Sequence, residues 1–242
     1  MTAIRIENLS KQYKDVLAVD GLSLRIEQGE LFSLLGVNGA GKTTTIKMLC
    51  GLTEPTGGDA FLQGLSIRRE LAGVKPLIAV SPQETAVAPG LSVQENLALI
   101  CGVHGFAKEK RIAKIAEVTE LLGLEEVLSR KAGKLSGGWQ RRLSIAMALI
   151  SEPQILFLDE PTLGLDVLAR SELWELIRTL KGRVTIILTT HYMEEAEALS
   201  DRIAIMAKGK LLICGTPEEI KASAGADSIE KAFITIVKEA VK

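Results

Sequence analysis

Cysteine is scarce in this chain. Three residues, Cys50, Cys101 and Cys214, lie far apart and form no C-x-x-C pair. That spacing offers neither a zinc-ligand set nor a disulfide framework, and it is the usage expected of reduced thiols in a cytosolic protein. Histidine is rarer still, with only His104 and His191 among 242 residues. No apolar run approaches the roughly 18 residues needed to span a bilayer. The opening segment, Met1 to Glu7, lacks a charged region followed by an apolar signal stretch. Work at a membrane would therefore need another subunit to hold the chain there. An excess of one charge is missing too: the net charge is −1, so no overall positive field draws the chain to nucleic acid. Low-complexity tracts and internal repeats are absent.

What is present is the balance of an ordinary globular protein, 47% apolar and 24% charged, in a chain long enough to bury a substantial core. Ile4–Leu9, Leu22–Ile26 and Leu31–Leu35 read as strands, with Asp20-Gly21 and Gln28-Gly29 as the turns between them. Ile46, Leu49 and Cys50 share one helical face. Ser92 and Glu95 spell a capping box, followed by Val93, Leu97, Ile100 and Cys101 at helical spacing. Ile112, Ile115, Thr119 and Leu122 predict a second helix ending near Gly123, and Leu143, Ala146, Met147 and Ile150 a third. Ile155–Leu158 and Val184–Leu188 are short apolar runs of the kind buried on both faces of a parallel sheet. Leu173, Leu176, Ile177 and Leu180 place a helix between them, which makes a βαβ unit and an α/β fold class. Three consecutive helices within about 88–152 interrupt the alternation and read as an inserted helical subdomain. Beyond about residue 220 a short tail follows: Thr216-Pro217 starts one capped helix, and Ile229, Phe233, Ile236, Val237 and Ala240 stripe another, with Gly225 and Ala226 loosening the link.

Three constellations carry chemistry. Gly36, Val37, Asn38, Gly39, Ala40, Gly41, Lys42 and Thr43, followed by Thr44, match G-x-x-x-x-G-K-S/T directly after an apolar strand and before a helix. Glycines there let successive backbone N–H groups converge on phosphate oxygens, and the following helix aims its dipole at the same anion. Lys42 would serve the β- and γ-phosphates, and the Thr43 hydroxyl a Mg²⁺ ion. Next, Ile155–Leu158 runs into Asp159 and Glu160, carboxylates at the edge where α/β sheets bind ligands. Adjacent residues of a strand point opposite ways. Asp159 would hold Mg²⁺ and Glu160 would orient or deprotonate the attacking water. Last, Leu135, Ser136, Gly137, Gly138, Trp139 and Gln140 precede the third helix. Ser136 suits an N-cap, and the glycines leave that helix end open to an anion. A second anion site makes sense if it serves the nucleotide of another copy.

Together these motifs resemble the nucleotide-binding domain of ABC transporters over about residues 1–220. The resemblance implies a P-loop NTPase of ABC type, with a mostly parallel central sheet, an N-terminal antiparallel β subdomain and the inserted helices. In that family Leu-Ser-Gly-Gly-Gln is the signature pressed against the ATP of the opposing subunit. Ser136, Gly137 and Gly138 fit it, and Trp139 stands where Gln is usual. By resemblance Tyr13 stacks on adenine and Gln83 touches Mg²⁺ and senses the transport subunit. Asp166, at the end of Pro161–Asp166, organises the dimer contact, and His191 meets the γ-phosphate; His104 is assigned no role. Leu91–Leu97, Thr190–Glu197 and Arg141-Arg142 look like bacterial export ATPases of the drug-resistance type. The expected cofactors are ATP and Mg²⁺, and Lys42, Glu160 and His191 are the expected catalytic side chains. The expected partners are a second ATPase subunit, identical or different, docked head to tail, and separate membrane permease subunits at the cytoplasmic face. A soluble ABC ATPase acting on ribosomes or DNA is the alternative, against which stands the lack of tandem ATPase domains or long coiled coils. A nucleotide-binding regulator that hydrolyses little is a further one, encouraged only by Trp139.

Overall fold

The computed structural model describes residues 1–241. Its β-strands form two sheets. The first is antiparallel, in the order β2-β1-β4-β5: β1 (Thr2–Tyr13), β2 (Val16–Glu27), β4 (Gly57–Leu62) and β5 (Leu65–Ser66). The second has six strands in the order β10-β9-β3-β8-β7-β6: β3 (Leu31–Leu35), β6 (Ile78–Ser81), β7 (Ile155–Asp159), β8 (Thr185–Thr190), β9 (Arg202–Ala207) and β10 (Lys210–Gly215). All its pairings are parallel except β9 with β10. This is the expected α/β fold, with a mostly parallel sheet beside an N-terminal antiparallel one.

Strands β3, β7 and β8 are buried along their whole length. Their side chains alternate between two cores, as the period of two requires. Leu31, Leu156, Leu158, Ile186 and Leu188 face the helical side, whereas Phe32, Leu34, Ile155, Phe157 and Ile187 face the antiparallel sheet. Across that second core lies α1 (Lys42–Leu49), followed in the chain by the single turn α2 (Leu71–Val74). On the helical side sit α3 (Val93–Val103), α4 (Lys108–Leu122), α5 (Gly137–Leu149) and α6 (Val167–Leu180). The Ser92–Glu95 capping box forms reciprocally at the start of α3, and Gly123 closes α4. A third core joins Leu35, Ile203 and Ile205 to α7 (Met193–Leu199), α8 (Pro217–Ser223) and α9 (Ile229–Val241). Ile229, Ala232 and Phe233 of α9 are buried in it and Ile236 and Val237 pack against it, whereas Ala240 of the expected stripe is exposed. The described residues include no helix long and apolar enough to cross a membrane.

One expected turn is corrected. Asp20 and Gly21 lie inside β2, and the hairpin turns instead at Lys14 and Asp15. Between the Leu9–Leu22 and Lys11–Val19 pairs, β2 carries one residue more than β1. Gly21, at φ 60°, supplies the left-handed residue of that bulge, and Asp20 N–H donates to the Gly209 carbonyl at 2.9 Å. The glycine signalled a kink within one strand, not the end of it.

Candidate nucleotide site

The chain from β3 to α1 must wrap tightly, and Gly41 shows why only glycine serves. Its φ is 104°, and a Cβ there would lie 2.6 Å from the Ala18 carbonyl oxygen. The loop so formed lines an open cleft of about 730 Å³ at the C-terminal edge of the parallel sheet. Asn38, Gly39, Ala40, Gly41, Lys42, Thr43 and Thr44 form one wall, with Gln83, Glu160 and His191 facing them. Gly36 and Val37 stand behind that wall, where their carbonyls accept hydrogen bonds from Lys42 Nζ at 2.6 and 3.3 Å.

Lys42 is buried to 4% exposure, and its Nζ lies 3.6 Å from Glu160 Oε1. Burial lowers its pKa, and the charge of Glu160 opposes that shift. Glu160 in turn lies 3.1 Å from His191 Nδ1. Its backbone is left-handed, at φ 47°, an unfavourable conformation for a side-chain-bearing residue, of the kind that clusters at active sites. Two bonds hold it so: Glu160 N–H is shared by the carbonyl and the hydroxyl of Thr189, at 3.1 and 3.0 Å. The left-handed turn re-aims the chain where β7 ends, and Glu160 reaches the cleft.

Asp159 points elsewhere. Its Oδ1 accepts hydrogen bonds from Thr189 Oγ1 at 2.5 Å and Thr43 Oγ1 at 3.2 Å. Thr43, Asp159 and Gln83 are all hard oxygen donors, the chemistry Mg²⁺ selects, and Thr43 and Asp159 already share one locus. The described residues hold no cluster of three or more metal-type ligands.

The remaining expected residues lie outside this cleft. Tyr13, 43% exposed at the end of β1, is not in its lining, and its hydroxyl stands 3.5 Å from Thr53 Oγ1. Val16, Leu17 and Ala18 of β2 line the cleft instead, with Leu163 and Lys208. Ser136 occupies the N-cap position of α5, yet its side chain makes no capping bond and is exposed. Gly137 and Gly138 open the same helix. Trp139 packs onto the helical-side core, with the Arg142 guanidinium 4.8 Å from its ring centroid. Asp166 caps α6, its Oδ1 accepting from Ala169 N–H at 2.9 Å. His104 follows α3, far in sequence from any of these. All three cysteines are free, and burial pushes the Cys50 thiol up to about 12, which keeps it protonated.

Sequence reasoning did not assign Arg141 its structural task. Its side chain is buried to 4% exposure and donates to the Pro82 and Gln83 carbonyls at 2.5 and 2.6 Å. The helix of the signature-like motif thus grips the backbone of the loop that carries Gln83. Arg141→Ala would leave two carbonyls unpaired, at about 2–4 kcal/mol of stability for a charged donor. Hydrogen exchange should show residues 82–86 loosened, with Lys42 and its loop unchanged.

A glycine-rich loop entering a helix at the sheet edge, with strand-end acids opposite, defines a P-loop nucleotide-binding protein. A family model described as ABC transporter matches residues 19–163. The chain is 38% identical to the probable multidrug ABC transporter ATP-binding protein YbhF of Escherichia coli, over 98% of this chain but 42% of that protein. It therefore spans under half the length of that relative. It is 42% identical to the Nod factor export ATP-binding protein I of Burkholderia pseudomallei, covering 94% of this chain and 75% of that one. A solved structure titled as the ATP binding subunit of an ABC transporter superposes with a TM-score of 0.85 at 28% identity, covering 98% of this chain and all of that one. The chain belongs to the ABC transporter family, as an ATP-binding domain of ATPase type.

Proposed function

We propose that this chain hydrolyses ATP as one half of a head-to-tail pair and drives export through separate membrane subunits. The observation that carries the pairing is the placement of Ser136. It sits at the open N-terminus of α5 with its hydroxyl free, outside the cleft of its own chain. A helix end that serves no local anion is suited to one brought by a second copy. In that arrangement Lys42 leaves its backbone carbonyls for the β- and γ-phosphates, and Glu160 orients and deprotonates water for in-line attack. His191, already 3.1 Å from Glu160, contacts the γ-phosphate and fixes that carboxylate. Thr43, Asp159 and Gln83 would hold Mg²⁺, which would supply charge neutralisation to the phosphates. Tyr13 reaches adenine by turning from Thr53, and Asp166 orders the contact between copies.

Export is supported by the likeness to the Nod factor export ATP-binding protein I, and transport more broadly by that to the probable multidrug ABC transporter ATP-binding protein YbhF. A link to membrane subunits is supported by an apolar cleft of about 270 Å³ beside the Gln83 loop, lined by Val80, Pro82, Ala86, Ile100, His104 and Met147. It joins the sheet to the helical insert, so a segment seated there would feel Gln83. The test is to find whether a neighbouring reading frame encodes a membrane protein of about six apolar spans and, if so, to coexpress it with this chain. Co-purification, and ATP turnover that rises in the complex, is the expected result. A chain that instead sediments with ribosomes and ignores the membrane protein would sink the transport reading.

A further inference from the structure

Behind the nucleotide cleft lies a polar cluster to which none of these roles gives a use. Glu195, on α7, is completely buried. Its Oε1 accepts a hydrogen bond from the Trp174 indole N–H of α6 at 3.0 Å. Burial raises its pKa, opposed by the indole and the charge of Arg170. The charge of Arg141, on α5, feels the same carboxylate. Three polar atoms of this neighbourhood, Glu195 Oε2, Thr162 Oγ1 and Arg170 Nε, are buried without a hydrogen-bond partner among the described residues.

Such a cluster is a poor way to obtain stability, because well-packed apolar side chains of the same volume do at least as well. What it does is join elements. Thr162 belongs to the segment that ends in Asp166, and Arg170 follows Asp166 by one helical turn. The Arg170 guanidinium stands 4.7 Å from the centroid of the Tyr192 ring. That ring lies 4.1 Å from the ring of His191, and His191 Nδ1 lies 3.1 Å from Glu160. Two links therefore join the helices behind the cleft: Trp174 ties α6 to Glu195 on α7, and Arg170 of α6 packs on Tyr192, whose ring neighbours His191 and through it Glu160.

We propose that Glu195 is a positioning residue for ATP hydrolysis: its bond to Trp174 ties α7 to α6 while Arg170 packs α6 onto Tyr192, so that the 161–166 segment leading into α6 and the His191–Tyr192 turn shift as one body and set His191 against Glu160. This rests on the hydrolytic reading given above. Glu195→Gln keeps an acceptor for the indole and removes the charge that faces Arg170; Trp174→Phe keeps the packing and removes the donor. Either variant of the full chain should lower kcat about tenfold while leaving KM and the ATP dissociation constant within twofold. Hydrogen exchange should accelerate in residues 161–166 and 191–193 together. The melting temperature of Glu195→Gln should not fall, because a buried carboxylate has been neutralised.

A kcat within twofold of wild type in both variants would overturn the inference. So would a loss of kcat accompanied by equal losses of ATP affinity and melting temperature, which is what general loosening produces. A wild-type chain that binds ATP and never hydrolyses it would instead remove the reading on which the inference stands, and the positioning role with it.

Discussion

Glu160→Gln should lower ATP turnover by about 10²–10³-fold and leave MgATP binding intact. The two side chains have the same shape, so the left-handed turn at Glu160 and the neighbour at His191 Nδ1 persist. What goes is the base. The amide cannot take a proton from water, and among the described residues no second carboxylate lines the cleft to replace it. Lys42 also loses the charge that opposes its lowered pKa, but bound phosphates restore it. With closure permitted and hydrolysis blocked, ATP should hold two copies together. Phosphate release measures the first effect and sedimentation velocity with MgATP the second. Turnover within tenfold of wild type would remove Glu160 from the role of base.

Ser136→Asp should abolish turnover to a similar extent by a different route. Aspartate is as good an N-cap as serine and favours the helix dipole, so α5 keeps its start and the chain its stability. Opposite a triphosphate, however, the new carboxylate is a like charge. Two unit charges at 4 Å repel by about 4 kcal/mol at an effective dielectric of 20. A loss of at least about 10²-fold in turnover is expected, with each chain still binding ATP at near wild-type affinity in its own P-loop. Normal turnover in this variant would mean that the α5 terminus serves no nucleotide.

The legible parts of this protein were those whose physics is local. A P-loop is contiguous in sequence, and so are a capping box and an apolar run ending in two acids; Ser92–Glu95 and β7 followed from such patterns. The α/β class came from the same source, because β3, β7 and β8 are buried on both faces and read as unbroken apolar stretches. Strands β4, β5, β6, β9 and β10 escaped notice: β5 and β6 have two and four residues, and β9, Arg202–Ala207, mixes two alanines and a methionine into its apolar run. Gly21 misled because a glycine at positive φ serves a bulge as readily as a turn. The tasks of Arg141 and Glu195 were invisible for a deeper reason. Pro82 and Gln83 are reached from Arg141 across 59 and 58 residues, and Glu195 meets Trp174 across 21. No spacing rule announces such partners; only folding brings them together.

The placement of Tyr13 follows the same logic. Its expected stacking role came from resemblance, whereas the side chain sits beside Thr53 and Lys11, with Lys11 Nζ 4.9 Å from the ring centroid. Val16, Leu17 and Ala18 reach the cleft because the β2 bulge ties Asp20 to Gly209 and brings that edge over the P-loop. Residues on a bulged edge wall the site without any motif to mark them.

Equilibrium titration of the purified chain with MgATP, followed by calorimetry, tests the central claim most directly. The account predicts one saturable site per chain that is lost in Lys42→Met, since the buried ammonium of the loop is the charge that answers the terminal phosphates. A wild-type chain that takes up no MgATP, or a Lys42→Met chain that binds it as tightly, would contradict it.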